Sequence, residues 1–375
     1  MGRKVNVGVI GLGIMGQGHL KTLKSIHSCK IAAVCDSESW RFDALKKEKL
    51  IDENVKCFTY YKELIKNCGC ECVAVVTPHP FHLAISEFAF NVGLHLMCDK
   101  PITVTVAEAD RMIAAWQKGK NLKFSTMYTL RTKPHNRIIK EWITNGKLGA
   151  IRRVEMTCTT WLRTQKYYSG QPWRGTWKGE GGGLLLNQAP HDLDLIYWLF
   201  GPCRSIWAKA ARRFHEIETE DEVIAVFTME KGFPVTFYAT TGEAPGKNYI
   251  EIVGDKGTLI KNDKDLIFRK LPEPISKIIA GSTELFPVVK SEDVKIDIPA
   301  ESDGNRIIFE ELLDAIIHNR PNETLTAPGN EGIHSVEFAN AMLMSSLTGK
   351  EVSLPINRRS YNALFNKLRD GKISL

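Results

Sequence analysis

A chain of 375 residues, 43% apolar and 25% charged, is long enough for two domains and a sizeable core without disulfide staples. Its 50 Lys and Arg exceed its 43 Asp and Glu by +7, yet they are scattered, with no basic stripe, which excludes nucleic acid as a partner. No apolar run nears the ~20 residues of a membrane span, and nine cysteines behind an N-terminus without a signal-peptide core predict reduced thiols in a cytoplasmic protein.

The apolar run Val5 to Ile10 reads as a strand that ends in glycine-rich sequence, and a helix is predicted over residues 15–25. Strands follow at 30–35, 72–76, 94–98 and 122–126, separated by helices at 40–47, 81–92 and 106–118. Thr105 and Glu108 have the spacing of a capping box at the last of these helices. This alternation predicts an α/β fold with a doubly wound parallel sheet, a Rossmann domain over residues 1–126. Cys68, Cys70 and Cys72 lack both the C-x-x-C spacing and the neighbouring His of zinc sites, so no metal is assigned.

The pattern changes after Tyr128. A helix is predicted at 135–144 and a strand at 151–161. An aromatic, glycine-rich segment then leads to a helix at 188–200, stopped by Gly201. Residues 205–269 read as successive strands, with hairpin turns at Glu230-Lys231-Gly232 and Gly254-Asp255-Lys256-Gly257. Pro272, Pro274, Pro287 and Pro299 predict a loop over 270–301, and helices are expected at 303–319 and 332–347. Residues 127–375 are thus expected to form an α+β domain on a large, mostly antiparallel, open-faced sheet. Pairing two such faces predicts a homodimer or homotetramer.

Gly11-Leu12-Gly13-Ile14-Met15-Gly16 is G-x-G-x-x-G between a strand and a helix, with Asp36 at the end of the next strand. That context fits a dinucleotide-binding turn. Gly11 permits the tight turn, Gly13 lets the backbone approach a pyrophosphate, and Gly16 lets helix and strand pack closely. The helix N-terminus at Ile14 and Met15 offers N–H groups to the phosphates. Asp36 can accept both ribose hydroxyls of NAD and repels the 2′-phosphate of NADP, while Arg41 keeps NADP as the alternative.

Two further segments are Thr77-Pro78-His79-Pro80-Phe81-His82 with Cys98-Asp99-Lys100-Pro101, and Gly181-Gly182-Gly183 running through Asn187, His191 and Asp194. With the glycine turn, they make the chain resemble the glucose-fructose oxidoreductase / inositol dehydrogenase / MocA family over nearly its whole length. The resemblance implies an NAD-dependent oxidoreductase that moves a hydride between nicotinamide and a hydroxyl-bearing carbon of a sugar or cyclitol. It implies that Thr77, Pro78, His82 and Asp99 border the cofactor and that Lys100, after a cis bond to Pro101, meets the reacting hydroxyl. The proton carrier maps onto His191. The family's usual Glu-Lys-Pro is Asp99-Lys100-Pro101 here, and a position often occupied by Asp is Asn187, which cannot exchange a proton near neutral pH.

Chemistry gives the same roles. Alcohol oxidation needs a base for the hydroxyl proton; histidine titrates nearest neutrality, and a lysine stabilises developing negative charge. Asn187, His191 and Asp194 share one face of the predicted helix at i, i+4 and i+7. Trp161, Tyr167, Tyr168, Trp173 and Trp177 with Arg163, Arg174 and Lys178 suit C–H-rich rings and hydroxyls, or else an arm that packs on a second subunit. Tyr128 and Arg131 are expected to border the same substrate. Two alternatives keep the fold: a cofactor-binding regulatory protein without turnover, and a glycosidase or epimerase that recycles NAD.

Overall fold

In the computed structural model, which describes residues 2–375, the first strand, β1 (Val5–Ile10), leads through a glycine turn into α1 (Ile14–Ser25). There follow β2 (Cys29–Cys35), α2 (Trp40–Lys47), β3 (Lys56–Phe58), α3 (Tyr61–Asn67), β4 (Cys72–Val75), α4 (His82–Asn91), β5 (His95–Cys98), α5 (Val106–Lys118) and β6 (Phe124–Thr126). The strands pair in parallel in the order β3-β2-β1-β4-β5-β6. The Thr105 hydroxyl accepts the Glu108 amide and the Glu108 carboxylate accepts the Thr105 amide, completing the capping box at α5. β3 and α3 escape sequence reading because β3 has only three residues and none is fully buried.

The chain continues with α6 (Pro134–Thr144), β7 (Ile151–Cys158), α7 (Gln165–Ser169), α8 (Leu184–Asn187), α9 (Pro190–Phe200), β8 (Cys203–Ala211), β9 (Glu222–Met229), β10 (Pro234–Thr240), β11 (Asn248–Gly254), β12 (Gly257–Lys261), β13 (Leu266–Lys270), α10 (Ile275–Gly281), β14 (Glu292–Lys295), α11 (Gly304–Ile317), α12 (Gly332–Thr348), β15 (Val352–Ser353) and α13 (Arg358–Arg369). Nine strands form a second, mostly antiparallel sheet in the order β14-β13-β12-β11-β7-β10-β9-β8-β15, with β7 and β10 parallel. Both expected hairpins are present: Gly232 turns β9 into β10 with φ +90°, and Gly254 faces Gly257 across β11 and β12.

Two expectations need correction. Residues 270–301 are not a bare loop. Asp255 accepts the Ser276 amide and hydroxyl at 3.0 and 2.8 Å and so caps α10, while β14, whose own residues are all exposed, pairs with β13. The helix expected over 188–200 is present as α9, but it starts at Pro190, and Asn187 belongs to a separate short helix, α8, because Pro190 has no N–H to continue the first and instead opens the second.

The chain divides into two compact units. One holds residues up to 132 with 179–181 and 302–336; the other holds 133–178, 182–301 and 337–375. In the first, Ile308, Phe309, Leu312, Leu313 and Ile316 of α11 join Val5, Val7, Leu20 and Leu23 in one buried cluster. Side chains of that size contribute roughly 1.5–3 kcal/mol each on burial. Among the described residues, no helix is long and apolar enough to cross a membrane.

Candidate functional site

The first unit builds the nucleotide end from the C-terminal ends of adjacent strands. Gly11, just past β1, has φ +98°, and a Cβ there would lie 2.6 Å from the Val76 carbonyl. A Cβ on Gly16 would lie 2.0 Å from the Gly11 carbonyl, whereas one on Gly13 meets nothing within 4 Å. The turn is therefore closed at its two outer glycines and open at the middle one. Gly13 caps α1 without a side chain, and the first turn has no acidic residue. The amides of Ile14, Met15 and Gly16 precede the first intrahelical bond, so the positive end of α1 faces outward. Ile14 and Met15 are 84% and 52% exposed beside it.

Asp36, after β2, accepts the Leu12 amide at 2.7 Å and the Glu38 amide at 3.0 Å. The Arg41 guanidinium lies 3.4 Å from the same carboxylate and stacks over Trp40. The second carboxylate oxygen thus also has a cation beside it. After β4, the Thr77 hydroxyl oxygen is buried with no protein partner, so the cradle fits a dinucleotide at its open glycine, its N–H groups and this oxygen. Pro78 is half-buried beside it.

His82, expected at the cofactor, is instead fully buried. Its Nε2 lies 2.7 Å from the Thr77 carbonyl and its Nδ1 2.8 Å from the Pro101 carbonyl, so neither nitrogen is left for a ligand. Asp99, also buried, accepts the Lys100 amide at 2.8 Å and stands 3.7 Å from the His19 imidazole. Burial pushes the Asp99 carboxyl up, but His19 and Lys100 outweigh it and hold it well below the usual range. His19 was missed in the sequence; its position on α1 one turn after Gly16 was the available signal. Lys100 is half-buried, and its bond to Pro101 is cis.

Tyr128 and Arg131 are in the core of this unit rather than at an open surface. The Tyr128 hydroxyl lies 2.5 Å from that of Ser335, and Arg131, 1% exposed, pairs with Glu331 and donates to the Thr326 carbonyl at 3.2 Å. A substrate would have to displace these partners.

The second unit carries the other motif. A Cβ on Gly183 would lie 2.1 Å from the Glu220 carbonyl, so only glycine fits where α8 begins. The Glu220 carboxylate accepts the amides of Gly183 and Leu185 at 3.0 and 2.9 Å, an anchor that sequence reading missed. Asn187 ends α8, and its amide donates to the Tyr167 hydroxyl at 3.3 Å. Arg163 and Arg174 lie 5.0 and 4.0 Å from the Tyr167 ring centroid, and Arg174 also covers Trp173 at 4.7 Å. Tyr167 is thus the hub of the aromatic segment, and its two flanking arginines were the legible sign. Trp161 is half-buried outside this cluster. His191 is half-buried in the first turn of α9, and Asp194 is fully buried two residues after Asp192. The helix break removes Asn187 from the continuous face expected to hold it with His191 and Asp194. Burial pushes the Asp192 carboxyl up to about 6, although the Cys158 thiol, 3.2 Å away, and Lys261 oppose this.

Residues 5–127 match the family model of the GFO/IDH/MocA oxidoreductase family, NAD-binding Rossmann fold, and residues 136–260 match that of the GFO/IDH/MocA C-terminal domain. YrbE, an uncharacterized oxidoreductase of Bacillus subtilis, is 22% identical over 360 residues, 94% of this chain and 98% of that one. The inositol 2-dehydrogenase of Salmonella typhimurium is 27% identical over 196 residues, 52% of this chain and 54% of its own. The WlbA dehydrogenase from Bordetella pertussis, in complex with NADH and UDP-GlcNAcA, has the same fold at TM-score 0.78 and 22% identity, over 95% of this chain and all 100% of that one. Levoglucosan dehydrogenase, in complex with NADH and L-sorbose, does so at TM-score 0.79 and 19% identity, over 95% and 100%.

Proposed function

We propose a sugar or polyol as the substrate of a chain that belongs to the GFO/IDH/MocA oxidoreductase family and carries its NAD-binding Rossmann domain. The observation that carries this reading is the Tyr167 cluster, where two guanidiniums lie against the ring and its hydroxyl accepts the Asn187 side-chain amide. Flat rings suit C–H faces, and the surrounding N–H and O–H groups suit hydroxyls. UDP-GlcNAcA and L-sorbose on two proteins of the same fold support the same class.

NAD, when bound, accepts or returns the hydride. The roles of the chain's own residues follow from their chemistry: Lys100 polarises the substrate oxygen, His191 carries its proton, and Asn187 orients a hydroxyl or the imidazole. Asp194, buried, supports α9 behind His191. Nine free cysteines, eight of them buried, support a reducing, cytoplasmic setting. Self-association through the open face of the nine-stranded sheet, where Ile224 and Trp207 are 49% and 43% exposed, completes the proposal.

The test is a screen of sugars and polyols with NAD and NADP, read as absorbance of reduced nicotinamide, beside Lys100→Met. Turnover that is lost in K100M while NADH still binds supports the reading. Turnover at the parent rate in K100M sinks the role given to Lys100, and an exchange of sugars without net NADH selects the recycling alternative.

A further inference from the structure

His82 is the first residue of α4, and its side chain is 0% exposed. Its two ring nitrogens contact two separate segments that the nucleotide end depends on. Nε2 meets the carbonyl of Thr77, at the turn after β4, at 2.7 Å; Nδ1 meets the carbonyl of Pro101, directly after Lys100, at 2.8 Å. Both partners are backbone carbonyls, which accept and never donate. A neutral imidazole has one N–H, so it satisfies one of the two and turns a lone pair on the other. Only a ring protonated at both nitrogens completes both bonds.

We infer that His82 is a positioning residue: as an imidazolium bonded to both carbonyls, it locks the Thr77 turn to the Lys100–Pro101 segment and so fixes where the Lys100 ammonium is held. The inference rests on the role proposed above for Lys100. Four groups act on the ring. The Asp99 carboxylate favours its charge, and the Lys100 ammonium opposes it. The His79 ring, edge-on at 5.9 Å, is neutral, because burial with His82 and Lys100 nearby pushes it down to about 3. The Cys98 thiol, 3.5 Å from Nδ1, is kept protonated by burial. Burial also works against charge on His82 itself and is the main influence lowering its pKa. The ionised Asp99 carboxylate, also buried and itself held by His19 and Lys100, is the acid in the same unit that favours the charge.

The arrangement differs from simple packing in what it does to each segment. A packing residue would hold α4 in place. A ring bonded to both carbonyls couples the cofactor-facing turn to the lysine, so loosening it moves the lysine without emptying the cradle. Such misplacement of a reacting group lowers the rate far more than it lowers affinity.

The experiment uses the full chain with His82→Phe and His82→Gln. NADH affinity comes from fluorescence titration, and kcat and KM come from the best sugar of the screen. The expected result is NADH affinity within about threefold of the parent, KM nearly unchanged, and kcat reduced at least tenfold in H82F, with H82Q in between because its amide reaches one carbonyl. A kcat in H82F within twofold of the parent overturns the inference. A second measurement is independent of activity and of whether the variants fold. In 15N-histidine-labelled parent protein, both His82 ring nitrogens are expected to show protonated-type shifts from pH 6 to 8. A pyridine-type nitrogen at His82 overturns the inference. If no sugar is turned over by the parent, the substrate proposal fails by itself, and the ring-nitrogen spectrum still decides the state of His82.

Discussion

The carboxylate of Asp36 accepts the main-chain amide of Leu12 at 2.7 Å, so the end of β2 is bonded directly into the glycine turn that follows β1. One residue thereby shapes the turn and is also the one proposed to take the ribose hydroxyls. Asp36→Ala removes both functions. A hydrogen bond to a charged group is worth about 1.5–3 kcal/mol, so NADH affinity is expected to fall roughly tenfold to a hundredfold. Affinity for NADPH should fall less, because Arg41, 3.4 Å from the carboxylate, is then released toward a phosphate. Fluorescence titrations with both nucleotides check this; unchanged NADH affinity would leave Asp36 a structural residue only.

The middle and last glycines of this turn separate binding from folding. Gly16→Ala drives a Cβ to 2.0 Å from the Gly11 carbonyl, and backbone cannot step aside cheaply. Destabilisation of about 1–3 kcal/mol is expected, read as a lower Tm. Gly13→Val adds a Cβ that meets nothing within 4 Å, at a residue whose φ is −66°. Its Tm should match the parent while NADH binding is largely lost. A Gly13→Val protein that binds NADH normally would show that the dinucleotide does not lie against this residue.

Asp192 sets a pH dependence of unusual sign. Its carboxyl is raised from an ordinary 3.8 to about 6 by burial, so between these values the folded chain keeps a proton that the unfolded chain has lost. Stability from this group is full below pH 4, falls as pH rises through the window, and stays lost above pH 6. At about 1.4 kcal/mol per pH unit, the loss is on the order of 3 kcal/mol. Asp192→Asn keeps an oxygen for the Cys158 thiol and carries no charge. It should be more stable than the parent at pH 8 and equal to it near pH 3.5, as measured by urea unfolding. A constant difference at both pH values would refute the assignment.

Arg131 and Glu331 give a test of what lies in the core rather than at the substrate. Glu331→Ala leaves a guanidinium that is 1% exposed without its carboxylate. A cost of about 3 kcal/mol is expected, the low end for broken buried pairs because Glu331 is 34% exposed. Arg131→Met, which removes the charge itself, should cost less. Neither should change KM for the sugar; a large KM increase in R131M would return Arg131 to the site.

The parallel sheet, the glycine turn and the capping box were legible because each depends on residues close in sequence: apolar runs, a fixed glycine spacing, and a Thr three residues before a Glu. The split of α8 from α9 was legible in principle, since Pro190 stands in the middle of the expected face. What escaped were features made by distant partners. β14 forms only because β13 offers it an open edge, and α10 starts where Asp255 reaches Ser276. In the same way, His82 could be assigned to the cofactor from its place beside Thr77. No local pattern reveals that Pro101, nineteen positions away, claims its second nitrogen. Tyr128 and Arg131 follow the last parallel strand, as substrate residues often do, yet Ser335 and Glu331 from the far end of the chain enclose them.

The placement of α11 has a consequence for biosynthesis. Ile308, Phe309, Leu312 and Leu313 complete the cluster begun by Val5 and Val7, so a ribosome must add some three hundred residues before the earliest strand finds all its neighbours. Until then the nascent nucleotide-binding half exposes an oily seam, and its first opportunity to become fully native comes only late in translation.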